Sequence, residues 1–417
     1  MNIGIIGTGY VGLVSGLCLS LTHNVICMDI NKEIIDNLNK GIISFYEPNL
    51  QDLFEDNKNI RFTTDLKYLI DNTDCCIITI GTPQSDDGEC DVSNIISLFN
   101  EFSELVSKEY SIIIKSTVPV GFADYLKNKF NNNNWNIISN PEFLAEGCAV
   151  DNFLNQDRTI IGADNKDSFN LIKEIYKNIN TTFICMDNVS AELVKLASNS
   201  FLALKISFIN EIANISSKYN GDINKISQGI GADKRIGDKF LKAGCGYGGS
   251  CFEKDIENLI YCSNMKNYNP ILLEQINPFN IKQEKKVIEH LLKRYNNNLK
   301  NRTISIWGLS FKPETSDIRC SPALTIIDEL LKEGCNLNVH DPLALDNVKN
   351  WYDGVKGINY FDDKYECLVD CDDLLILTEW EEYVSADKNL ITVDTVYDLR
   401  GIYSEMDKNH YRIGVNL

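Results

Sequence analysis

Short apolar runs recur along the first half of the chain, separated by stretches of helical periodicity. "NIGIIGTGYVGLVSGLCLSL", from residue 2, reads as a buried strand, a glycine turn and a helix. "NVICMDI" (24–30) is a second apolar run and holds Asp29 near its end. "CCIITIG", "SIIIKST", "WNIIS", "RTIIG" and "TTFICMD" follow at intervals. Short apolar strands alternating with helices predict a parallel sheet covered on both faces. The pattern changes at Ser190. Residues 190–219 hold one helical period with no Gly or Pro, a helix of about 45 Å, long enough to separate two domains and carry a subunit interface.

The strand-and-helix pattern resumes near residue 301 with "TISIWG", "NLNVHD", "DLLILTEW" and "LITVDTVYD". "SPALTIIDELLKEG" predicts a helix with Ser321 as N-cap, Pro322 in its first turn and Gly334 as terminator. The order is therefore an α/β domain, a helical centre and a second α/β domain. Asn-rich runs (131–134 and 296–298) mark loops.

Composition narrows the function classes. A chain of 417 residues holds two or three domains. Its net charge of −19 argues against a nucleic-acid or anionic-membrane binder, so an anionic ligand needs local basic residues. The fourteen cysteines show no metal-ligand spacing and no CxxC. No leader-like segment opens the chain, and no apolar run reaches the roughly 18 residues of a membrane span. A cytoplasmic protein with free thiols and no metal is expected.

"GTGYVG" (7–12) fits G-x-G-x-x-G between a strand and a helix. Its first glycine allows the turn, the second lets backbone approach a pyrophosphate, and the third packs helix on strand. The pattern also suits a tight turn with no ligand. Asp29, about 20 residues on, stands where a carboxylate binds ribose hydroxyls. That carboxylate repels a 2′-phosphate and favours NAD over NADP, although Lys32 nearby works the other way.

"GYGGSCFEKD" (246–255) surrounds one cysteine with glycines and charges. Cys251 is expected at a helix N-terminus, where a thiolate is favoured. Lys254 adds positive charge, while Asp255, one turn on, opposes ionisation; sequence leaves the balance open. Nucleophile plus base is one reading; a small apolar residue, the default for the other cysteines, is the other. Lys195 and Asn199 stand one turn apart on the long helix, a spacing that suits a polar pocket or a solvated stripe. "SNPEFLAEG" (139–147) sets Glu142 and Glu146 at a strand end, for ligand binding or for capping.

With these residues in place, the chain resembles the UDP-glucose/GDP-mannose dehydrogenase family, and within it the UDP-glucose 6-dehydrogenase branch. The resemblance runs in order through "GTGYVGL", "GTP", "KSTVPVG", "NPEFLAEG" with "DRTIIG", "AELVKLASNSFLALKISFINE", "RIGDKFLKAGCGYGGSCFEKD", "GLSFKPETSDIRCSPAL" and "VYDLRGIY". It departs at Glu253, where relatives carry Pro or Gln, and at "DLR" (398–400), where they carry "DGR".

The resemblance implies two Rossmann-like, doubly wound parallel-sheet domains joined by a long central helix. Residues 1–189 would bind NAD, 190–295 would carry the dimer contact and the cysteine, and 296–417 would bind the uridine diphosphate. Cys251 is implied as nucleophile, with Lys195, Asn199 and Asp255 handling proton and oxyanion, and Thr117 and Glu142 positioning or activating water. Cofactor contacts are implied at Gly7, Gly9, Tyr10, Val11, Gly12, Asp29, Lys32, Thr82, Thr117, Glu146, Lys254 and Arg319. Substrate contacts are implied at Glu142, Phe143, Leu144, Glu146, Lys195, Asn199, Arg235, Tyr247, Gly248, Gly249, Ser250, Lys312 and Arg400. The glycines about Cys251 would admit sugar and cofactor close to the backbone.

The implied reaction oxidises the C6 alcohol of UDP-glucose to a carboxylate with two NAD⁺, through a thiohemiacetal and a thioester on Cys251. A homodimer or larger homo-oligomer is implied, with Arg235 reaching the neighbouring subunit. A dehydrogenase for GDP-mannose or a UDP-N-acetylhexosamine is the alternative of the same class. A catalytically silent NAD-binding regulatory or structural protein is the alternative of another class; Cys251, Lys195, Asn199 and Asp255 occurring together argue against it.

Overall fold

The computed structural model describes residues 1–85, 87–404, 406 and 409–417. The chain divides into two compact units, Met1–Ser198 with Lys254–Asn269, and Asn199–Glu253 with Pro270–Leu417.

The first unit holds an eight-stranded sheet. Its strands are β1 (Asn2–Ile6), β2 (Asn24–Met28), β3 (Ile60–Thr63), β4 (Cys75–Ile78), β5 (Tyr110–Ile114), β6 (Trp135–Ser139), β7 (Thr159–Gly162) and β8 (Phe183–Met186). They lie in the order β3-β2-β1-β4-β5-β6-β7-β8. Both faces are covered, so the period of two divides the central strands between two cores: Cys75 and Ile77 of β4 enter one, Cys76 and Ile78 the other. The order reverses between β1 and β4, which opens a crevice at their C-terminal ends.

One pairing differs from an all-parallel sheet. β6 meets β7 antiparallel, through Ser139 and Gly162. An antiparallel neighbour needs no crossover, so the chain after β6 is free to run as the irregular "NPEFLAEG" segment before the short helix Ala149–Leu154.

The second unit holds β9 (Thr303–Trp307), β10 (Asn336–His340), β11 (Ile358–Tyr360), β12 (Asp373–Ile376), β13 (Thr395–Asp398) and β14 (Asn409–Arg412). Their order, β11-β10-β9-β12-β13-β14, repeats the first six strands of the other sheet, and all pairs are parallel. The repeat reaches individual residues. Gly7 after β1 and Gly308 after β9 both take positive φ, +97° and +95°. Thr8 N–H donates to Asp29 at 2.8 Å, and Leu309 N–H donates to Asp341 at 2.7 Å. The two carboxylates differ in their surroundings. Asp341 is buried and also receives Ser310, Leu343, Ala344 and the Trp380 indole, whereas Asp29 is part-exposed.

The long helix runs Asn188–Lys218, starting two residues before the predicted Ser190. Asp187 is the reason: its carboxylate accepts the Ser190 N–H at 2.8 Å and the Ser190 hydroxyl at 2.7 Å, capping the first turn. Beyond its end Asn220 turns left-handed at φ +55°. The predicted cap at Ser321 is present, with Pro322 opening the helix Pro322–Lys332 and Gly334 at φ +80°. No helix among the described residues is long and apolar enough to cross a membrane.

Candidate functional site

In the first unit the glycine turn follows β1 and opens the helix Tyr10–Ser20. A Cβ at Gly12 would lie 1.9 Å from the Gly7 carbonyl oxygen, so only glycine lets the helix pack there. A Cβ at Gly9 would meet nothing within 4 Å. Space in front of Gly9, at a helix N-terminus, is what a pyrophosphate would occupy. Val11 is part-buried in the first turn of that helix. Asp29 takes the Thr8 hydroxyl at 3.0 Å and the Asn31 N–H at 2.9 Å. Lys32 is turned along its own helix to Asp36, 2.6 Å away.

The Tyr10 hydroxyl donates to Glu47, a buried residue that also accepts the N–H groups of Gly147 at 2.6 Å and Ala149 at 2.7 Å. Glu47 thereby ties the glycine-turn helix to the loop carrying Glu146. The sequence reading missed it, although Glu47 beside Pro48 was the available signal.

Glu142, Phe143 and Leu144 follow β6. The Glu142 carboxylate lies 2.8 Å from the Lys195 ammonium and accepts the Leu144 N–H at 2.6 Å. Both partners are buried. Burial by itself would raise the Glu142 carboxyl; the Lys195 charge and hydrogen bond, the Leu144 N–H and the Lys115 charge outweigh it and hold Glu142 below the usual carboxylate range. The Arg158 guanidinium stacks on the Phe143 ring at 4.1 Å.

Thr117, Ser116, Ser139, Glu192 and Lys195 line a cavity of about 10 Å³, close to the room one water needs. Glu192 accepts the N–H groups of Gly121 at 2.6 Å and Ala123 at 2.9 Å, at the start of the helix Phe122–Phe130. Burial pushes its carboxyl up to about 7 despite these donors. Glu192 was also missed, though it stands three residues before Lys195. The Thr82 hydroxyl donates to the Thr117 carbonyl at 2.7 Å, and Lys254 reaches the Thr82 carbonyl at 3.5 Å. Asp255 is buried, 3.9 Å from the Lys254 ammonium.

The second unit begins at Asn199, buried on the central helix one turn after Lys195. Ser250 opens the helix Ser250–Asn264, and Cys251 is exposed in its first turn. The glycines before it leave space that the protein itself fills. A Cβ at Gly246 would lie 2.9 Å from Asn280, at Gly248 2.5 Å from the Cys320 carbonyl oxygen, and at Gly249 2.9 Å from the Phe311 ring. Asn280 accepts the Tyr247 N–H at 2.9 Å and donates to the Tyr247 carbonyl at 2.9 Å. Behind this loop lies a cavity of about 290 Å³ whose walls include Tyr247, Gly248, Gly249, Glu253, Asn277 and Glu284.

The basic residues of the second unit differ in placement. Arg400 is inside it, donating to the Leu377 carbonyl at 2.6 Å and the Gly246 carbonyl at 3.3 Å. Arg400 therefore braces the loop before Cys251. Lys312 lies 5.5 Å over the Phe311 ring. Arg319 pairs with Asp317 at 2.6 Å, and its carbonyl accepts the Gly249 N–H at 3.1 Å. Arg235 is exposed and paired with Asp233 at 2.5 Å.

Comparison with known proteins adds the family. Residues 1–180 match the NAD binding domain of the UDP-glucose/GDP-mannose dehydrogenase family, residues 189–282 its central domain, and residues 305–405 its UDP binding domain. The UDP-glucose 6-dehydrogenase of Rickettsia bellii is 39% identical, over 96% of this chain and 95% of its own. UDP-glucose 6-dehydrogenase TuaD of Bacillus subtilis is 38% identical, over 97% and 90%. Among solved structures, a UDP-glucose dehydrogenase from Pyrobaculum islandicum superposes with a TM-score of 0.92 at 29% identity, over 100% of this chain and 97% of that one. A glycine turn open at Gly9, a cysteine in the first turn of a helix, and three family domains in order along one sequence place the chain in the UDP-glucose/GDP-mannose dehydrogenase family.

Proposed function

We propose that this chain is an NAD-dependent UDP-glucose 6-dehydrogenase that carries the C6 alcohol through to the carboxylate. The reading rests on the exposed Cys251 in the first turn of its helix, in a chain whose flanking domains match NAD-binding and UDP-binding models. A two-electron alcohol dehydrogenase has no use for that thiol.

Gly9 and Asp29 suit a dinucleotide, with the pyrophosphate before Gly9 and the ribose at Asp29; Gly7, Tyr10, Val11, Gly12, Thr82, Glu146 and Lys254 complete its surroundings. When bound, NAD⁺ supplies the hydride acceptor for each of the two oxidations. Lys195 and Asn199 stabilise negative charge on the reacting oxygen. Asp255 receives the hydroxyl proton through a water. The Cys251 thiolate adds to the aldehyde carbon, and the resulting thiohemiacetal keeps the intermediate on the protein. Oxidation of that adduct leaves a thioester. Glu142, with Thr117, takes a proton from water, the hydroxide adds to the thioester carbonyl, and the thiolate leaves with its bonding pair. Serine at 251 would be a poorer nucleophile and a poorer leaving group.

Residues 1–189 serve the cofactor, 190–295 the subunit contact and the thiol, and 296–417 the uridine diphosphate, with Lys312 and Arg400 among its partners. Phe201, Phe208 and Ile215 recur every seventh residue along the central helix and are half-exposed, at 59%, 49% and 50%. Their stripe supports a homodimer in which Arg235 extends to the neighbouring copy; a fully active monomer in light scattering would exclude it. Fourteen cysteines, none in a CxxC pair, suit a reducing, cytoplasmic setting.

A panel of nucleotide sugars, assayed for NADH and for product mass, tests the function. UDP-glucose should be preferred and should give two NADH per UDP-glucuronate. One NADH per product, or preference for a GDP- or N-acetylhexosamine-linked sugar, would replace the reading.

A further inference from the structure

Lys115 follows β5 directly and is buried. Its ammonium donates to the Tyr176 hydroxyl at 3.1 Å and lies over the rings of Phe153 and Tyr176, at 5.7 and 5.5 Å. Among the described residues no carboxylate lies within ion-pairing distance of it. Burying a cation without a counter-ion is costly, and a methionine would fill the same space.

The geometry connects this cation to the loop of Glu142. The Tyr176 hydroxyl donates to Asn140 Oδ1 at 2.9 Å, and the Asn140 amide donates to the Ile160 carbonyl at 2.8 Å. Asn140 stands two residues before Glu142. Lys115, Tyr176 and Asn140 thus form one buried chain from the end of β5 to the start of that loop.

Lys195 pairs with Glu142 from the central helix at 2.8 Å. Lys115 acts on it from the end of β5. Glu192, on the same helix as Lys195, lines the same small cavity as that lysine, and Arg158 is held on the Phe143 ring. Of the two cations, Lys195 has a second duty in the proposed mechanism, at the substrate oxygen. Lys115, lying over two rings, has none.

We propose that Lys115 is a positioning residue for Glu142, a fixed buried cation that, through Tyr176 and Asn140, holds the Glu142 loop and backs its charge while Lys195 serves the substrate oxygen. This rests on Glu142 being the base for thioester hydrolysis.

The test follows decay of the Cys251 adduct by acid quench and intact-protein mass from pH 5 to 9, using full-length Lys115→Met, Tyr176→Phe and Glu142→Gln. Lys115→Met should move the acid limb of adduct decay up by about one pH unit or more, so that adduct persists near pH 5, where the wild type clears it, and clears at pH 7 and above. KM for UDP-glucose should stay within about twofold, because ground-state substrate binding does not involve Lys115. Decay slowed by one factor at every pH, or an unshifted profile, means a structural role only and overturns the proposal. If Lys115→Met does not fold, Tyr176→Phe decides: it keeps the ring, removes the hydroxyl, and must shift the limb in the same direction. Glu142→Gln separates the two readings. Adduct in Glu142→Gln with an unshifted Lys115→Met profile overturns Lys115 alone; no adduct in Glu142→Gln removes the hydrolytic role and this proposal with it.

Discussion

The Lys195 ammonium and the Glu142 carboxylate, 53 residues apart in sequence, meet at 2.8 Å with both side chains buried. Removing one partner leaves the other charged in a dry site. Lys195→Met should therefore destabilise the fold by about 3–5 kcal/mol, and adding Glu142→Gln should recover much of that loss. Glu142 is held below the usual carboxylate range, so the pair contributes above that range and is lost as pH falls through the lowered value. Urea unfolding of the two variants checks this; equal stability of Lys195→Met and wild type would mean that the pair is not formed.

The two glycines of the turn should separate by phenotype. Gly12→Ala drives a methyl to 1.9 Å from backbone and should prevent folding or cost several-fold in yield. Gly9→Ala meets only open space, so the protein should unfold at the wild-type temperature while KM for NAD⁺ rises by about tenfold or more. Thermal melts alongside NAD⁺ titrations give both readings, and an unchanged KM would remove the pyrophosphate from Gly9.

Cofactor choice should depend on the Asp29 charge. Wild type should use NAD⁺ in strong preference to NADP⁺. Asp29→Asn keeps an acceptor for the Thr8 N–H but loses the repulsion, and should narrow the preference by about tenfold, or about 1.4 kcal/mol. Ratios of kcat/KM for the two cofactors decide it; comparable efficiency in the wild type would contradict the role of Asp29.

Cys251 and Glu142 should fail at different steps. Cys251→Ala should make no UDP-glucuronate, since no thioester can form. Glu142→Gln should accumulate a sugar-nucleotide adduct that hydroxylamine removes. Normal product formation by Cys251→Ala would overturn covalent catalysis.

Glu192 gives a pH signature of stability. Its carboxyl is raised to about 7 in the folded chain. A raised carboxyl binds its proton more tightly when folded, so its contribution is complete below the ordinary carboxylate value and fades as pH climbs towards about 7. Glu192→Gln should show a smaller fall in stability from pH 5 to pH 8 than wild type. Parallel curves would place the Glu192 titration outside that window.

Much of the molecule is legible along the chain because it depends on near neighbours. Apolar runs marked the central strands, the uninterrupted helical period marked the central helix, and Ser321, Pro322 and Gly334 marked one helix from end to end. "GTGYVG" with Asp29 pointed to a nucleotide, and glycines beside Cys251 pointed to a constrained loop. Edge strands β3, β11 and β14 left weaker traces: they are short, pair on one side only, and keep polar residues such as Arg61, Asn359 and Asn409.

Tertiary structure alone decided the rest. Lys195 on Glu142, Glu47 on Tyr10 and Ala149, Glu192 on Gly121, and the chain from Lys115 through Tyr176 to Asn140 join residues 36 to 102 positions apart. No periodicity records such pairs. It also decided why the glycines before Cys251 are needed: Asn280, Phe311 and the Cys320 carbonyl occupy the space that side chains would take. Local spacing sets which face of a helix or strand a residue occupies, because that depends on a few backbone angles. Which distant group meets it depends on how sheets and helices pack, and in a close-packed interior that packing selects the partners of every buried charge.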